Sequence, residues 1–228
     1  RGPDESGVWI NEKLGMGIQR LSIIDLKSGH QPMHNSSNKS TIVFNGEIYN
    51  YLTLRVQLET KGYEFITKSD TEVILKLYQE YGTDSFRMLD GMFAFSIFDS
   101  NKNKIFCVRD FFGEKPLYYF SNNSSIAWSS ELKSLVPLFE KKPSIDSEAL
   151  SLYFRLTYIP PPFTIYNGIQ KLEANHYLTI ELENNEITKY PIEQLIETKK
   201  TNSKNQAIQH THDLVMESVS SRMVADVP

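Results

Sequence analysis

Apolar residues across 92–99 fall on alternate positions, with Phe93, Phe95 and Ile97 on one face, the period of a β-strand. A polar stretch at 100–103 and a second apolar run at 104–108 complete a hairpin pattern. Two further pairs repeat it: 116–120 with 125–129 around Asn122-Asn123, and 178–182 with 186–190 around Asn184-Asn185. Helical spacing is clearest at 69–81, where Val73, Leu77 and Tyr81 recur every four residues. Ser69 and Glu72 form a capping box at its start and Gly82 ends it. Asn50 is placed to cap a helix running to about Lys61, with Gly62 as its stop. Segments 131–139, 147–156 and 207–223 read as further helices, 20–26 and 41–44 as extended, 28–39 as a loop, and Pro160-Pro161-Pro162 as a rigid connector. Antiparallel hairpins interspersed with helices predict an α+β fold.

The polar stretch 193–205 reads as a linker and places a domain boundary near 195: a first domain over 1–195, then a linker and helix over 196–228. The chain starts at Arg1-Gly2-Pro3-Asp4 and ends at Ala225-Asp226-Val227-Pro228, and is expected to be a fragment of a longer protein. Its 228 residues carry a formal net charge of -4 and no basic run, so nothing points to nucleic acid or an anionic membrane. No signal peptide or membrane-spanning run is visible, and the single cysteine, Cys107, argues against a disulfide framework and suits the cytosol.

The most informative tripeptide is Asn45-Gly46-Glu47, entered from the β-favouring run Thr41-Ile42-Val43-Phe44. Asn-Gly is a strong turn signal, and it also sets a side-chain amide beside a flexible backbone N–H, two donors of the kind that stabilise an oxyanion. Upstream, Arg20 offers a planar fork for a carboxylate, or an ordinary ion pair. Glu47 and Asp70 are candidates to receive an ammonium; Asp70 also suits the first turn of a helix for electrostatic reasons alone. Cys107 has neither a base nor an electropositive neighbour in sequence and reads as a packing residue. The five histidines show no metal-ligand spacing, and Arg109-Asp110 reads as a loop-anchoring buried ion pair.

Taken together, Arg20-Leu21-Ser22-Ile23-Ile24-Asp25, Gln31-Pro32-Met33, Phe44 to Tyr51, Ser69-Asp70-Thr71-Glu72, Gly91-Met92-Phe93-Ala94-Phe95, Arg109-Asp110 with Gly113 and Lys115-Pro116-Leu117, and Ser130-Glu131-Leu132-Lys133 resemble the glutaminase half of glutamine-hydrolysing asparagine synthetases. These are class II amidotransferases of the N-terminal-nucleophile hydrolase superfamily. The resemblance implies a four-layer αββα sandwich and L-glutamine as substrate. It further implies that Arg20 and the backbone of Ser22, Ile23 and Ile24 hold the α-carboxylate, that Asn45 and Gly46 form the oxyanion hole, and that Glu47 and Asp70 hold the α-ammonium. No cofactor is implied for this domain. ATP and Mg²⁺ belong to the synthetase domain expected to follow, which would receive the ammonia and amidate aspartate, and a homodimer is compatible with the pattern. The family nucleophile is an N-terminal cysteine with its own amine as base. This chain starts downstream of it, so it is expected not to hydrolyse glutamine by itself, and the missing first strand would leave an unpaired sheet edge. Three other readings stay open. One is a sister amidotransferase with another acceptor, of β-lactam synthetase type. Another is a non-catalytic glutamine-binding domain. The third is a structural domain in which Arg20 and Asp70 pair with each other.

Overall fold

Two strands that carry no strong sequence signal open the chain, β1 (Glu5–Ile10) and β2 (Gly15–Arg20), paired antiparallel with Glu5 opposite Arg20. The computed structural model describes residues 2–35, 39–122, 125–193, 203–223 and 226. The stretch expected to be extended at 20–26 is extended only at Arg20; the strand lies upstream and 21–26 is loop. Its β-branched residues answer to packing instead: Ile24 is buried against the core.

A short β3 (Met33–His34) leads into β4 (Ser40–Ile48), which is followed by helices α1 (Tyr51–Thr60) and α2 (Asp70–Tyr81). Then come β5 (Gly91–Asp99), β6 (Lys104–Arg109), β7 (Tyr118–Ser121) and β8 (Ile126–Ser129). Two short helices, α3 (Leu132–Leu135) and α4 (Ser147–Leu156), precede β9 (Gln170–Lys171), β10 (His176–Glu181) and β11 (Glu186–Pro191). The last element is α5 (Lys204–Ser221). The expected hairpins are thus present as β5–β6, β7–β8 and β10–β11. Asn123 and most of the expected linker lie outside the described residues, as does the proposed boundary near 195.

Six strands form one antiparallel sheet in the order β11-β10-β6-β5-β4-β3. Alternation sends Phe44, Phe93, Phe95, Ile97 and Phe106 to one face, where α1 and α2 cover them with Leu54, Leu58, Val73, Ile74 and Leu77. The other face presents Ala94, Phe98, Ile105, Cys107, Leu178 and Ile180 to Leu14 and Met16 from the β1–β2 end, to Leu117 just before β7 and to Tyr119 of β7. The three-stranded sheet β8-β7-β9 packs its far side, through Phe120 and Ile169, on Leu135 of α3. Helix, sheet, sheet and helix therefore stack as an αββα sandwich. β5 is buried on both faces, with Phe93, Phe95 and Ile97 toward the helices and Ala94, Ser96 and Phe98 toward the second sheet.

Candidate functional site

Asn45-Gly46 makes no turn. β4 runs through it for nine residues in register with β5, pairing Asn45 with Ala94 and Gly46 with Phe93. Long-range pairing overrides the local preference of the dipeptide. What the glycine supplies is closeness: at φ +151, a Cβ on Gly46 would sit 2.1 Å from the Met92 carbonyl oxygen.

The ladder also decides where the Gly46 amide points. Tyr49 N–H donates to the Asp90 carbonyl at 2.7 Å, so odd-numbered residues of β4 bond toward β5 and even-numbered ones turn to the opposite edge. On that edge Phe44 N–H donates to Gln31 Oε1 at 2.7 Å and Ile48 N–H to Asp70 Oδ2 at 3.1 Å. By the same alternation Gly46 N–H turns to this edge, between those two amides. Across the strand, Phe93 has both its N–H and its carbonyl engaged by Asp110, consistent with the same phase. Val43, Asn45 and Glu47 share the other strand face by alternation, the one turned to the second sheet layer.

A cavity of about 820 Å³ opens beside this stretch. Arg20, Ile23, Ile24, Asn45, Gly46, Glu47 and Asp70 all line it. Ser22 does not: it is half-buried, and its N–H is already donated to Asp4 Oδ2 at 2.9 Å. Arg20, at the end of β2, is buried. Its Nη2 donates to the carbonyls of Ile24 (2.8 Å) and Asp25 (3.2 Å), and its Nη1 to Glu5 Oε2 (3.3 Å). Its charge partner is Glu5 on the neighbouring strand, so the structural reading in which Arg20 and Asp70 neutralise each other does not describe this protein. Gly29 allows the approach, since a Cβ there would lie 2.7 Å from Nη2.

Asp70 is the first residue of α2 and is 4% exposed. Burial, with the Glu47 charge adding to it, pushes its carboxyl up to about 6 against the pull of its hydrogen bonds from Ile48, Thr71 and Ser69. Glu47 is also raised by burial, with the Lys115 charge pulling it partly back. Two carboxylates at one wall of a cavity make it a place for a cation. The pH consequence follows by linkage. Between about pH 4 and 6 the folded chain keeps a proton on Asp70 that the unfolded chain has lost, so stability falls as pH rises through that window. Asp70→Asn, which keeps an acceptor for Ile48 N–H, is expected to flatten a slope of at most about 1.4 kcal/mol per pH unit. Urea unfolding at intervals from pH 4 to 7 measures it, and identical slopes in the two proteins would contradict a raised Asp70.

A family model for the glutamine amidotransferase domain matches residues 1–191. The chain belongs to the glutamine amidotransferase family. It is 41% identical to a putative glutamine-hydrolysing asparagine synthetase 2 of Methanocaldococcus jannaschii, over 100% of this chain and 48% of that protein. It is 39% identical to asparagine synthetase 1 of Bacillus subtilis, over 100% of this chain and 36% of that protein. The chain therefore spans about half or less of the length of these relatives. Among solved structures, an allosteric regulatory enzyme of purine biosynthesis superposes on 80% of the chain and 36% of its own with a TM-score of 0.56 at 21% identity, a likeness of fold.

Other residues of this amidotransferase domain shape the site; Gln31 did not stand out in the sequence as a site residue, and the expected Arg109–Asp110 ion pair and Ser69/Glu72 capping box are each modified by the structure. Gln31 is buried, and besides holding Phe44 N–H it donates from Nε2 to Thr71 Oγ1 at 3.3 Å, tying β4 to the start of α2. Arg109 and Asp110 form no salt bridge with each other. Arg109 donates to the carbonyls of Lys115 (2.7 Å), Leu172 and Gly113. Asp110 accepts from the N–H groups of Phe93 (3.2 Å), Glu114 (2.9 Å) and Lys115 (2.9 Å). Together they pin the loop that carries Glu114 and Lys115 to the cavity rim. The capping box is half made: Ser69 Oγ accepts Thr71 N–H, while Glu72 instead accepts from Ile66 N–H, Thr67 N–H and the Thr67 hydroxyl.

Proposed function

We propose that the cavity binds L-glutamine and that, in the complete enzyme, its side-chain amide is hydrolysed to release ammonia for the ATP-dependent amidation of aspartate. The observation that carries this reading is the Gly46 N–H, which the ladder phase turns away from β5 at the cavity wall, between two amides that side chains satisfy. Around it stand a buried guanidinium and two carboxylates, complementary to the α-carboxylate and α-ammonium of an amino acid. Glutamine held by Arg20, Ile23 and Ile24 at one end and by Glu47 and Asp70 would bring its δ-carbonyl toward Asn45 and Gly46. A thiolate attacking the δ-carbon would drive the carbonyl electrons onto oxygen, where the Asn45 amide and Gly46 N–H would bind the charge. The C–N bond then breaks, ammonia leaves, and water hydrolyses the thioester to glutamate.

Cys107 is not this nucleophile. It is buried between the sheets, burial pushes its thiol up to about 12, and its neighbour is Ser96 Oγ at 3.5 Å. The thiolate is instead the N-terminal cysteine that the family resemblance implies. The cavity is large enough to admit an extended segment carrying it alongside an amino acid. On this reading the chain by itself binds glutamine without hydrolysing it.

Asn45→Ala in the complete enzyme should lower the glutaminase kcat by about 10²–10³-fold and leave KM for glutamine little changed. Stability should hardly move, because Asn45 is exposed and its side chain makes no hydrogen bond among the described residues. Ammonia-dependent synthesis should persist. Retention of the full glutaminase rate would remove Asn45 from the oxyanion site.

A further inference from the structure

Asp226, past the end of α5, bonds to the site wall. Asp226 N–H donates to the Ile23 carbonyl at 2.9 Å, and Asp226 Oδ2 accepts the Asp25 N–H at 2.8 Å. These bonds bracket Ile24, whose own carbonyl, with that of Asp25, receives Arg20 Nη2. Residues 23–25 are therefore gripped from one side by Arg20 and from the other by a residue about two hundred positions away.

Asp25 explains why the outside partner matters. It sits at φ +52, a left-handed conformation. Its carboxylate is fully used by Ser28 N–H (2.9 Å), Ser28 Oγ (2.6 Å) and Lys68 N–H (2.8 Å), so it offers nothing to its own backbone amide. That amide depends on Asp226. Four residues earlier, the Arg222 guanidinium lies over the Tyr49 ring at 4.6 Å, two positions beyond Glu47 on the chain. Along α5 itself no described residue is buried, so the end of this helix and Asp226 provide its specific hold on the site.

We propose that Asp226 is a positioning residue for glutamine: it fixes the backbone of Ile23–Asp25, and through it the Arg20 guanidinium, so that the Asp226 contact and the affinity for glutamine are coupled. The inference rests on the glutamine reading of the cavity. Coupling is reciprocal, so glutamine should in turn slow exchange of the amides at 23–26 and 226.

The test uses this 228-residue chain and four proteins: wild type, Asp226→Ala, Asp226→Asn and Arg20→Ala. Calorimetry gives Kd for L-glutamine, and amide hydrogen exchange reads the loop. Asp226→Ala should raise Kd about tenfold, within the usual range of couplings between sites. It should also speed exchange of the Asp25 amide while the melting temperature stays near wild type. Asp226→Asn, which keeps an oxygen for Asp25 N–H, should stay within about threefold of wild type. Arg20-dependent binding that Asp226→Ala leaves unchanged, with unchanged exchange at Asp25, overturns the positioning role and leaves the glutamine reading standing. A wild-type chain that binds no glutamine overturns the reading and the inference with it.

Discussion

Arg20→Ala should weaken glutamine binding about a thousandfold, the largest loss from any single side chain in the cavity. Two effects add. The ligand carboxylate loses a charge-assisted, two-pronged partner in a buried setting, where truncating one member of such a pair costs about 2–5 kcal/mol. The carbonyls of Ile24 and Asp25 lose their shared donor, so the loop that lines the pocket relaxes. Arg20→Lys separates them. It keeps the charge near Glu5 but offers one ammonium in place of a planar fork, and should recover much of the stability and only part of the affinity. The decisive ligand is 4-aminobutanamide, which is glutamine without its α-carboxylate. Arg20→Ala should lose only the part of its affinity for this ligand that comes from the relaxed loop, far less than it loses for glutamine. If both ligands lose equally, Arg20 serves only the architecture; if glutamine binding is unchanged, its carboxylate lies elsewhere.

Gly46→Ala should remove most of the folding stability. The backbone there has φ +151, which side chains rarely adopt, and the new Cβ would lie 2.1 Å from Met92 O and 2.7 Å from Phe93 Cα. Backbone cannot yield as a flexible side-chain end can, so β4 and β5 must separate inside the six-stranded sheet. A cost of about 4 kcal/mol or more is expected, against a total of about 5–15 for a typical domain. In melting temperature this amounts to about 10 °C or more, with insoluble expression as the extreme form. Gly62→Ala is the control. It too has positive φ, +89, but nothing stands within 4 Å of the added methyl, and it should cost only about 1 kcal/mol. Equal losses at the two positions would show that strain in φ alone, and not the approach of β5, governs Gly46.

The sequence by itself determined the elements whose signals are local. Alternation over 92–99 and 104–108 gave β5 and β6, and spacing of four with Ser69 and Gly82 gave α2, because period and capping are written within about ten residues. It also picked out Arg20, Asn45, Gly46, Glu47 and Asp70, which line the cavity, since guanidinium, amide and carboxylate groups have few roles; Ile23 and Ile24 came only from the family resemblance. β1 and β2 stayed unread: each is half exposed, and glycines at 7, 15 and 17 dilute their alternation. Tertiary structure decided the rest. It turned Asn45-Gly46 from a turn into mid-strand because nine residues of β5 pair across it. It gave Arg20 to Glu5 instead of Asp70, and set Gln31 against both β4 and α2. It closed residues 23–25 with Asp226. Each outcome joins atoms far apart along the chain. A hydrogen bond between residues 25 and 226 leaves no trace in the spacing around either, because its geometry is set by the packed layers that bring the two segments together.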